Sequence, residues 1–215
     1  KMDKEIKIDI QSIKKSKQNN RDILFNEDSR VGIETKVPDN SIDLVITSPP
    51  YLNSRDYTDT YMLELKTLGL TSTYEEVRNL RERTLRSHVQ IKWEDNESIN
   101  NKTLESTLNL LKDCSGDKEI WNSSILDMVR LYFVDMKKIF HVLYKKVKVG
   151  GRIYFNVSNS AYFNVMINTL EICAEIAESE GFKVIEIRKA RKLKPSPQQK
   201  EQIENLLEGV IVMEK

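Results

Sequence analysis

Thr47-Ser48-Pro49-Pro50-Tyr51 is the stretch whose residue types and order could do chemistry. Two consecutive prolines fix φ and remove two backbone donors. A chain leaving a strand here is therefore rigid, and its carbonyls are left to accept hydrogen bonds from something else. Such an acceptor array suits an exocyclic amine, a poor nucleophile because its lone pair is delocalised into a ring. Acceptors at Ser48 Oγ and the Pro49 carbonyl would hold both N–H bonds and favour a tetrahedral nitrogen aimed in line at a methyl group. Tyr51 would supply a flat ring on which the base stacks. The plain alternative is a Pro-Pro turn with a core tyrosine; the preceding strand and the hydroxyl at the first position weigh against it.

Elements on either side must hold this loop. Ile42 to Thr47, entered through the turn Pro38-Asp39-Asn40-Ser41, reads as a buried strand of a parallel sheet, and so does Asp22-Ile23-Leu24-Phe25. Ile6, Ile8 and Ile10 alternate with polar residues as in a short edge strand. Thr73 and Glu76 make a capping box that opens a helix carrying Tyr74, Val77, Leu80 and Leu85. Residues 92–116 are polar and Asn-rich, and Leu108, Leu110 and Leu111 suggest one short helix in a lid or insertion. Ile125 to Val149 forms a long amphipathic pattern that should stop at Gly150-Gly151, with a strand at Arg152 to Val157. There follow a helix from Val165 to Glu180 closed by Gly181, a strand Lys183 to Arg188, a basic loop Lys189 to Pro197, a short helix Glu201 to Leu207 and a last strand Gly209 to Met213. Strands alternating with helices predict an α/β, doubly wound sheet whose ligands sit beyond the carboxyl ends of its strands.

With its lead-in from Asp39, the Ser-Pro-Pro-Tyr segment resembles the fourth motif of the S-adenosylmethionine-dependent amino methyltransferases of DNA, whose hallmark is [Asp/Asn/Ser]-Pro-Pro-[Tyr/Phe/Trp]. Tyr57 through Leu70 is similar to the tract that follows it, Val147 through Arg152 resembles the turn before the family's fifth strand, and Ile211 through Lys215 its last strand. The resemblance implies a partial Rossmann-like methyltransferase sheet with helices on both faces and a mostly helical insertion. In domain terms, residues 1–21 are an N-terminal extension and 22–215 part of a catalytic domain with an insertion at about 71–124. It also implies S-adenosylmethionine as cofactor, with methyl transfer to a flipped base. Serine at the first position leans toward N4 of cytosine over N6 of adenine. Ser48 and Pro49 would orient the amine, Pro50 would stiffen the loop, and Tyr51 would stack.

One family feature is missing: the sequence has no Phe-x-Gly-x-Gly loop, which in the family holds the methionine part of the cofactor. A second polypeptide carrying that loop, or the rest of a longer chain, is the expected partner. Asn26-Glu27-Asp28-Ser29 looks like the family's short acidic motif, so Asp28 is a candidate acceptor for the cofactor's adenine, with Asn26 and Thr47 beside it; a turn or helix-cap aspartate is the equal alternative. Asn156, Ser158 and Asn159 end the next strand beside the expected pocket and could touch the base or cofactor, with a plain turn role the preferred reading. For DNA, Arg78, Arg81, Arg83, Arg86 and His88 form one cluster of phosphate contacts, and Lys189, Arg191, Lys192 and Lys194 a second. Two other readings stand beside this one: amine methylation of RNA or protein, and a catalytically silent nucleic-acid-binding subunit.

Composition narrows the field. Lys+Arg 34 against Asp+Glu 33 leaves a net charge of +1, so any nucleic-acid surface must come from local segregation of charge. Two distant cysteines, Cys114 and Cys173, and two histidines provide neither a disulfide framework nor a zinc cluster, so no metal is expected. No apolar run reaches the roughly 20 residues of a membrane helix, and a cytoplasmic setting, with DNA modification and its restriction context, is the expectation.

Overall fold

The computed structural model describes residues 23–52, 56–115, 119–194, 203 and 206–215. The alternation at Ile6, Ile8 and Ile10 and most of the helix expected at 201–207 lie outside them. In chain order the elements are α1 (Gly32–Lys36), β1 (Ile42–Thr47), α2 (Tyr57–Thr60), α3 (Met62–Thr67), α4 (Tyr74–Arg83), α5 (Lys102–Ser115), α6 (Glu119–Lys146), β2 (Val147–Ser158), β3 (Ser160–Tyr162), β4 (Val165–Ile167), α7 (Thr169–Ser179), β5 (Lys183–Lys192) and β6 (Leu207–Glu214).

The fold is mixed α/β. Four strands form one sheet in the order β1-β2-β6-β5, with β1 parallel to β2 and β6 antiparallel to both its neighbours. Ile153, Phe155, Val157, Ile211 and Met213 point to one face, where α6 and α7 cover them. The Phe140 and Phe155 rings lie 4.8 Å apart, and Leu170 of α7 rests on the backbone at Gly209. The other face carries Leu44 and Ile46, 52% and 76% exposed, together with Arg152, Tyr154, Asn156 and Glu208. Among the described residues, the helices packed on the sheet lie on the first face only.

β1 forms where the short apolar, branched run places it, but among the described residues it lies at the edge of the sheet and is not buried. The run at Ile23 to Phe25 forms no strand: Ile23 is 73% and Leu24 95% exposed. An apolar run becomes a buried strand only when something covers it, and no described element does so here.

α6 ends at Lys146, four residues before the glycines expected to stop it. Its last carbonyls are taken by the chain entering β1, with Asn40 N donating to Lys145 O at 3.0 Å and Ser41 N to Lys146 O at 2.9 Å. Partners from elsewhere in the fold thus do the work of a local glycine cap. Gly150, at φ 77°, instead bends β2 beside a register shift against β1. Gly181, at φ 105°, does close α7, and its missing Cβ leaves room for the Tyr144 ring.

The segment expected to hold one short helix holds a longer one. α5 runs for 14 residues and buries Leu104 and Leu111 against the core, while Leu110 faces out. The helix expected from Val165 begins only at Thr169, because residues 160–167 form the β3–β4 hairpin. Phe163 and Asn164 turn it, both at positive φ, in the two-residue geometry that usually selects Asn-Gly. β5 extends to Lys192, so Lys189 to Lys192 belong to a strand and not a loop.

α4 starts with its capping box in place: Thr73 Oγ1 accepts from Glu76 N at 3.2 Å and Glu76 accepts from Thr73 N at 3.0 Å. Thr73→Ala is expected to cost about 1 kcal/mol, read as a fall of about 2–4 °C in Tm. An unchanged melting curve would mean that α4 is held by its packing alone.

Candidate active site

Ser48 to Tyr51 leave the carboxyl end of β1, and each part of the segment is anchored from a different element. Tyr132, on α6 and fully buried, donates its hydroxyl to the Pro50 carbonyl at 3.1 Å. The Tyr57 hydroxyl accepts from Tyr51 N at 3.4 Å. Beyond the tetrapeptide, the Leu52 carbonyl accepts from Ser160 Oγ and, at 3.4 Å, from the Tyr162 hydroxyl, so the β3–β4 hairpin clasps the loop where it turns into the core. The two prolines stiffen the path, and these contacts choose one path from those left.

Tyr51 is held by its hydroxyl. Asn156 Nδ2 on β2 donates to it at 2.8 Å, and it donates to Glu208 Oε1 on β6 at 3.1 Å. The same Asn156 amide lies 3.3 Å from Glu208 Oε1 and 3.4 Å from Ser48 Oγ. Arg191 Nε of β5 pairs with Glu208 Oε2 at 2.7 Å. Burial, joined by the Glu208 charge, pushes the Tyr51 phenol above its usual range, so it stays protonated and able to donate. Burial also opposes charge on Glu208, but Arg191, Asn156 and Tyr51 together hold its carboxyl below the ordinary value. Ser48 is exposed beside this knot, and among the described residues no backbone donor reaches the Pro49 carbonyl. The result is a tethered aromatic ring next to an exposed Ser48 and a Pro49 carbonyl that no described backbone donor takes, at a sheet face on which no described helix packs.

Other expected site residues are placed differently. Both oxygens of Asp28 are engaged by Arg30, at 2.9 Å and 2.6 Å, and its carbonyl accepts from Gly32 N, so the carboxylate does the work of the turn alternative. The Arg30 hydrogen bond holds the Asp28 carboxyl below its usual range. Asn26 is exposed, and Thr47 closes β1 opposite Phe155. Asn159 accepts from Leu170 N at 3.2 Å, a turn role, and Ser158 is buried.

The arginine cluster does not form the expected phosphate-binding surface. Arg81 pairs with Asp56 and Asp59. Arg86 is 6% and His88 1% exposed. Arg86 reaches Asp135, Asp95 and Glu97, while His88 shares a hydrogen bond with Thr84 Oγ1 and packs near Trp93. Arginines at this spacing serve a solvated face or an inward ion pair equally well, and here carboxylates from three other segments claim them. Arg78 stays open, 64% exposed and, among the described residues, paired within its helix to Glu82, and Arg83, Lys189, Lys192 and Lys194 are exposed. Cys173 is buried in α7, where burial pushes its thiol up, and Cys114 is exposed. The described residues contain no group of acids, cysteines and histidines that could hold a metal, and no helix long and apolar enough to cross a membrane.

Sequence reasoning passed over Glu208, gave Tyr132 a core role on the long helix and preferred a turn role for Asn156 to a contact with the base or cofactor. Glu208 did leave a signal: it is an acid directly before the apolar run Gly209 to Met213.

No family model matches the chain. Against curated proteins, it is 33% identical over 181 residues to the Type II methyltransferase M.BsoBI of Geobacillus stearothermophilus, covering 75% of this chain and 35% of that protein. It is 32% identical over 154 residues to the Type II methyltransferase M.AvaI of Nostoc and of Anabaena variabilis, covering 67% of this chain and 32% of the relative. Among solved structures, a provisionally assigned DNA modification methylase from Thermus thermophilus aligns with TM-score 0.43 and 12% identity over 87% of this chain and 50% of that one. Its complex with S-adenosyl-L-methionine aligns with TM-score 0.41 and 14% identity over 87% of this chain and 53% of that one. By sequence, this chain is similar to Type II methyltransferases over most of its own length, and it spans about a third of theirs.

Proposed function

We propose that this chain is the amine-binding part of a DNA methyltransferase that methylates the exocyclic amine of a flipped base, N4 of cytosine in preference to N6 of adenine. The observation that carries the reading is the Asn156–Tyr51–Glu208 knot, which fixes a Ser-Pro-Pro-Tyr loop at the carboxyl end of a parallel strand with Ser48 exposed beside it. Ser48 Oγ and the Pro49 carbonyl hold the two amine N–H bonds, and Tyr51 stacks on the ring. Pulling both N–H bonds out of the ring plane frees the nitrogen lone pair for attack, and the extra proton leaves the nitrogen after transfer. Arg78, Arg83, Lys189, Lys192 and Lys194 are exposed cations of the two clusters left to meet phosphates.

S-adenosylmethionine supplies a methyl group on a sulfonium. This chain fits it in part. A cavity of about 490 Å³ lies between the segment around Phe25 and Ser29 and the β1 residues Ile42, Leu44 and Ile46, while Asp28, the expected adenine acceptor, is spent on Arg30. Among the described residues β1 has a partner on one side only, and its Leu44 and Ile46 are open. These features support a further segment or second polypeptide, one carrying Phe-x-Gly-x-Gly, that pairs beside β1 and completes the cofactor pocket.

Calorimetry tests the arrangement at one fixed salt concentration, titrating S-adenosylmethionine into the chain alone and into its mixture with that segment. Binding in the mixture alone is expected, followed by transfer of labelled methyl to duplex DNA. Tight binding by the isolated chain would displace the shared-pocket reading, label on RNA or protein would change the substrate, and no transfer by a complex that binds both cofactor and DNA would leave a silent binding subunit.

A further inference from the structure

Glu208 sits where a carboxylate is costly. Its side chain is 12% exposed at the start of β6, whose next residues are Gly209, Val210, Ile211 and Val212. An acid placed there needs donors to offset its desolvation, and it has three: Arg191 from β5, Asn156 from β2 and the hydroxyl of Tyr51. Nothing about the sheet requires an acid at this position, and the donors that converge on it include two residues that touch or belong to the tetrapeptide.

The polarity of the network follows from the charge. An ionised carboxylate only accepts, so the Tyr51 hydroxyl must donate to it and is left to accept from Asn156. Three oxygens, those of Ser48, Tyr51 and Glu208, then surround Asn156 Nδ2, at 3.4, 2.8 and 3.3 Å. The opposite amide orientation would set Oδ1 against an anion, so Glu208 also decides which end of Asn156 faces Ser48. The position of Glu208 is itself fixed, because a Cβ at the adjoining Gly209 would come within 2.8 Å of the Arg188 carbonyl and 3.1 Å of Leu170. The strand is packed too closely there to shift.

We propose that Glu208 is a positioning residue for the methyl-accepting site, setting the plane of the Tyr51 ring directly and the hydrogen-bonding sense of the Ser48 hydroxyl through Asn156. This rests on reading Ser48 to Tyr51 as the amine-binding segment. Arg191 keeps the carboxylate charged and in register, since Arg191 and Glu208 are cross-strand partners.

The test uses the chain assembled with the segment that completes it, and the isolated chain for a readout independent of turnover. Glu208→Ala is expected to lower kcat by about 10²-fold and leave KM for the methyl donor unchanged. Glu208→Gln keeps one acceptor for Tyr51 and is expected to recover to within about 10-fold of the original. In the isolated chain labelled with ¹³C at the tyrosine ζ carbon, the Tyr51 signal is identified by its loss in Tyr51→Phe. That signal should titrate at lower pH in Glu208→Gln, because the anion opposing the phenolate is gone while Arg191 remains. This measurement needs only the conservative variant, and so holds if the alanine form does not fold. Full kcat in Glu208→Ala with an unmoved Tyr51 titration in Glu208→Gln, while Tyr51→Ala is inactive, would overturn the role of Glu208 and spare the amine-binding reading. Full activity in both Ser48→Ala and Tyr51→Ala would remove that reading, and Glu208 with it.

Discussion

Asp135→Ala is expected to cost the chain about 3–5 kcal/mol, because it takes from two largely buried guanidinium groups the one acceptor that is buried with them and leaves them only the more exposed Asp28, Asp95 and Glu97. Asp135 lies on α6 with no exposed surface. It accepts from Arg86 at three donors, N at 3.0 Å, Nε at 3.1 Å and Nη2 at 2.7 Å, and from Arg30 Nη1 at 3.1 Å. The Arg86 side chain is 7% exposed and that of Arg30 16%, so water replaces the lost carboxylate only in part. The carboxylate also ties together segments far apart in sequence, the turn at Asp28 to Arg30 and the residues after α4. Domains of this size are commonly stable by about 5–15 kcal/mol, so the variant should sit near the edge of folding. Urea denaturation measures it as a lower midpoint with an unchanged slope. A companion variant separates attraction from desolvation: Asp135→Leu with Arg86→Met should recover much of the loss, since removing both partners removes the orphaned charge. A loss below about 1 kcal/mol in Asp135→Ala would show that water reaches the pair, as at an exposed ion pair.

The same residues explain which parts of the structure could be read in advance. Local patterns were legible: the Thr73–Glu76 capping box, the branched run of β1, the strands at Arg152 to Val157 and Gly209 to Met213, and the rigid Ser-Pro-Pro-Tyr loop all act through neighbours a few residues away. Features settled by distant partners were not legible. Tyr51 and Glu208 are 157 positions apart, Tyr51 and Asn156 are 105, and Arg86 and Asp135 are 49. Nothing in a local pattern tells an arginine on a solvated face from one turned toward a carboxylate, and the burial of Arg86 decides it. The β3–β4 hairpin escaped for a different reason: Phe163-Asn164 occupies a turn whose usual glycine is absent, and Val165 to Ile167 continue smoothly into the apolar period of α7. Open strand edges carry no mark in a sequence either, and so the run at Ile23 to Phe25 passed for a strand.

Tyr51 gives the larger effect on activity. Its ring is proposed to stack on the flipped base, a contact that alanine substitution typically weakens by about 1–3 kcal/mol. Removing the side chain also frees Asn156 and Glu208 from the hydroxyl that joins them, so Ser48 loses its fixed neighbour as well. Tyr51→Ala in the assembled enzyme is therefore expected to lower kcat/KM by about 10²-fold or more, stacking and misplacement acting together. Tyr51→Phe keeps the ring and loses the tether to Glu208 and Asn156, so it should fall between the original and Tyr51→Ala. The comparison is informative because the two functions of the side chain sit on different atoms. Steady-state transfer of labelled methyl to duplex DNA, with cofactor and DNA varied separately, reads both variants, and a thermal melt confirms that each is folded at the assay temperature. If phenylalanine were as damaging as alanine, the hydroxyl network would matter more than the ring, and Tyr51 would be a structural post beside the base. If alanine left kcat/KM unchanged, the base would have to rest on some other surface, and Ser48 and Pro49 would face an amine arriving from a direction that this loop does not define.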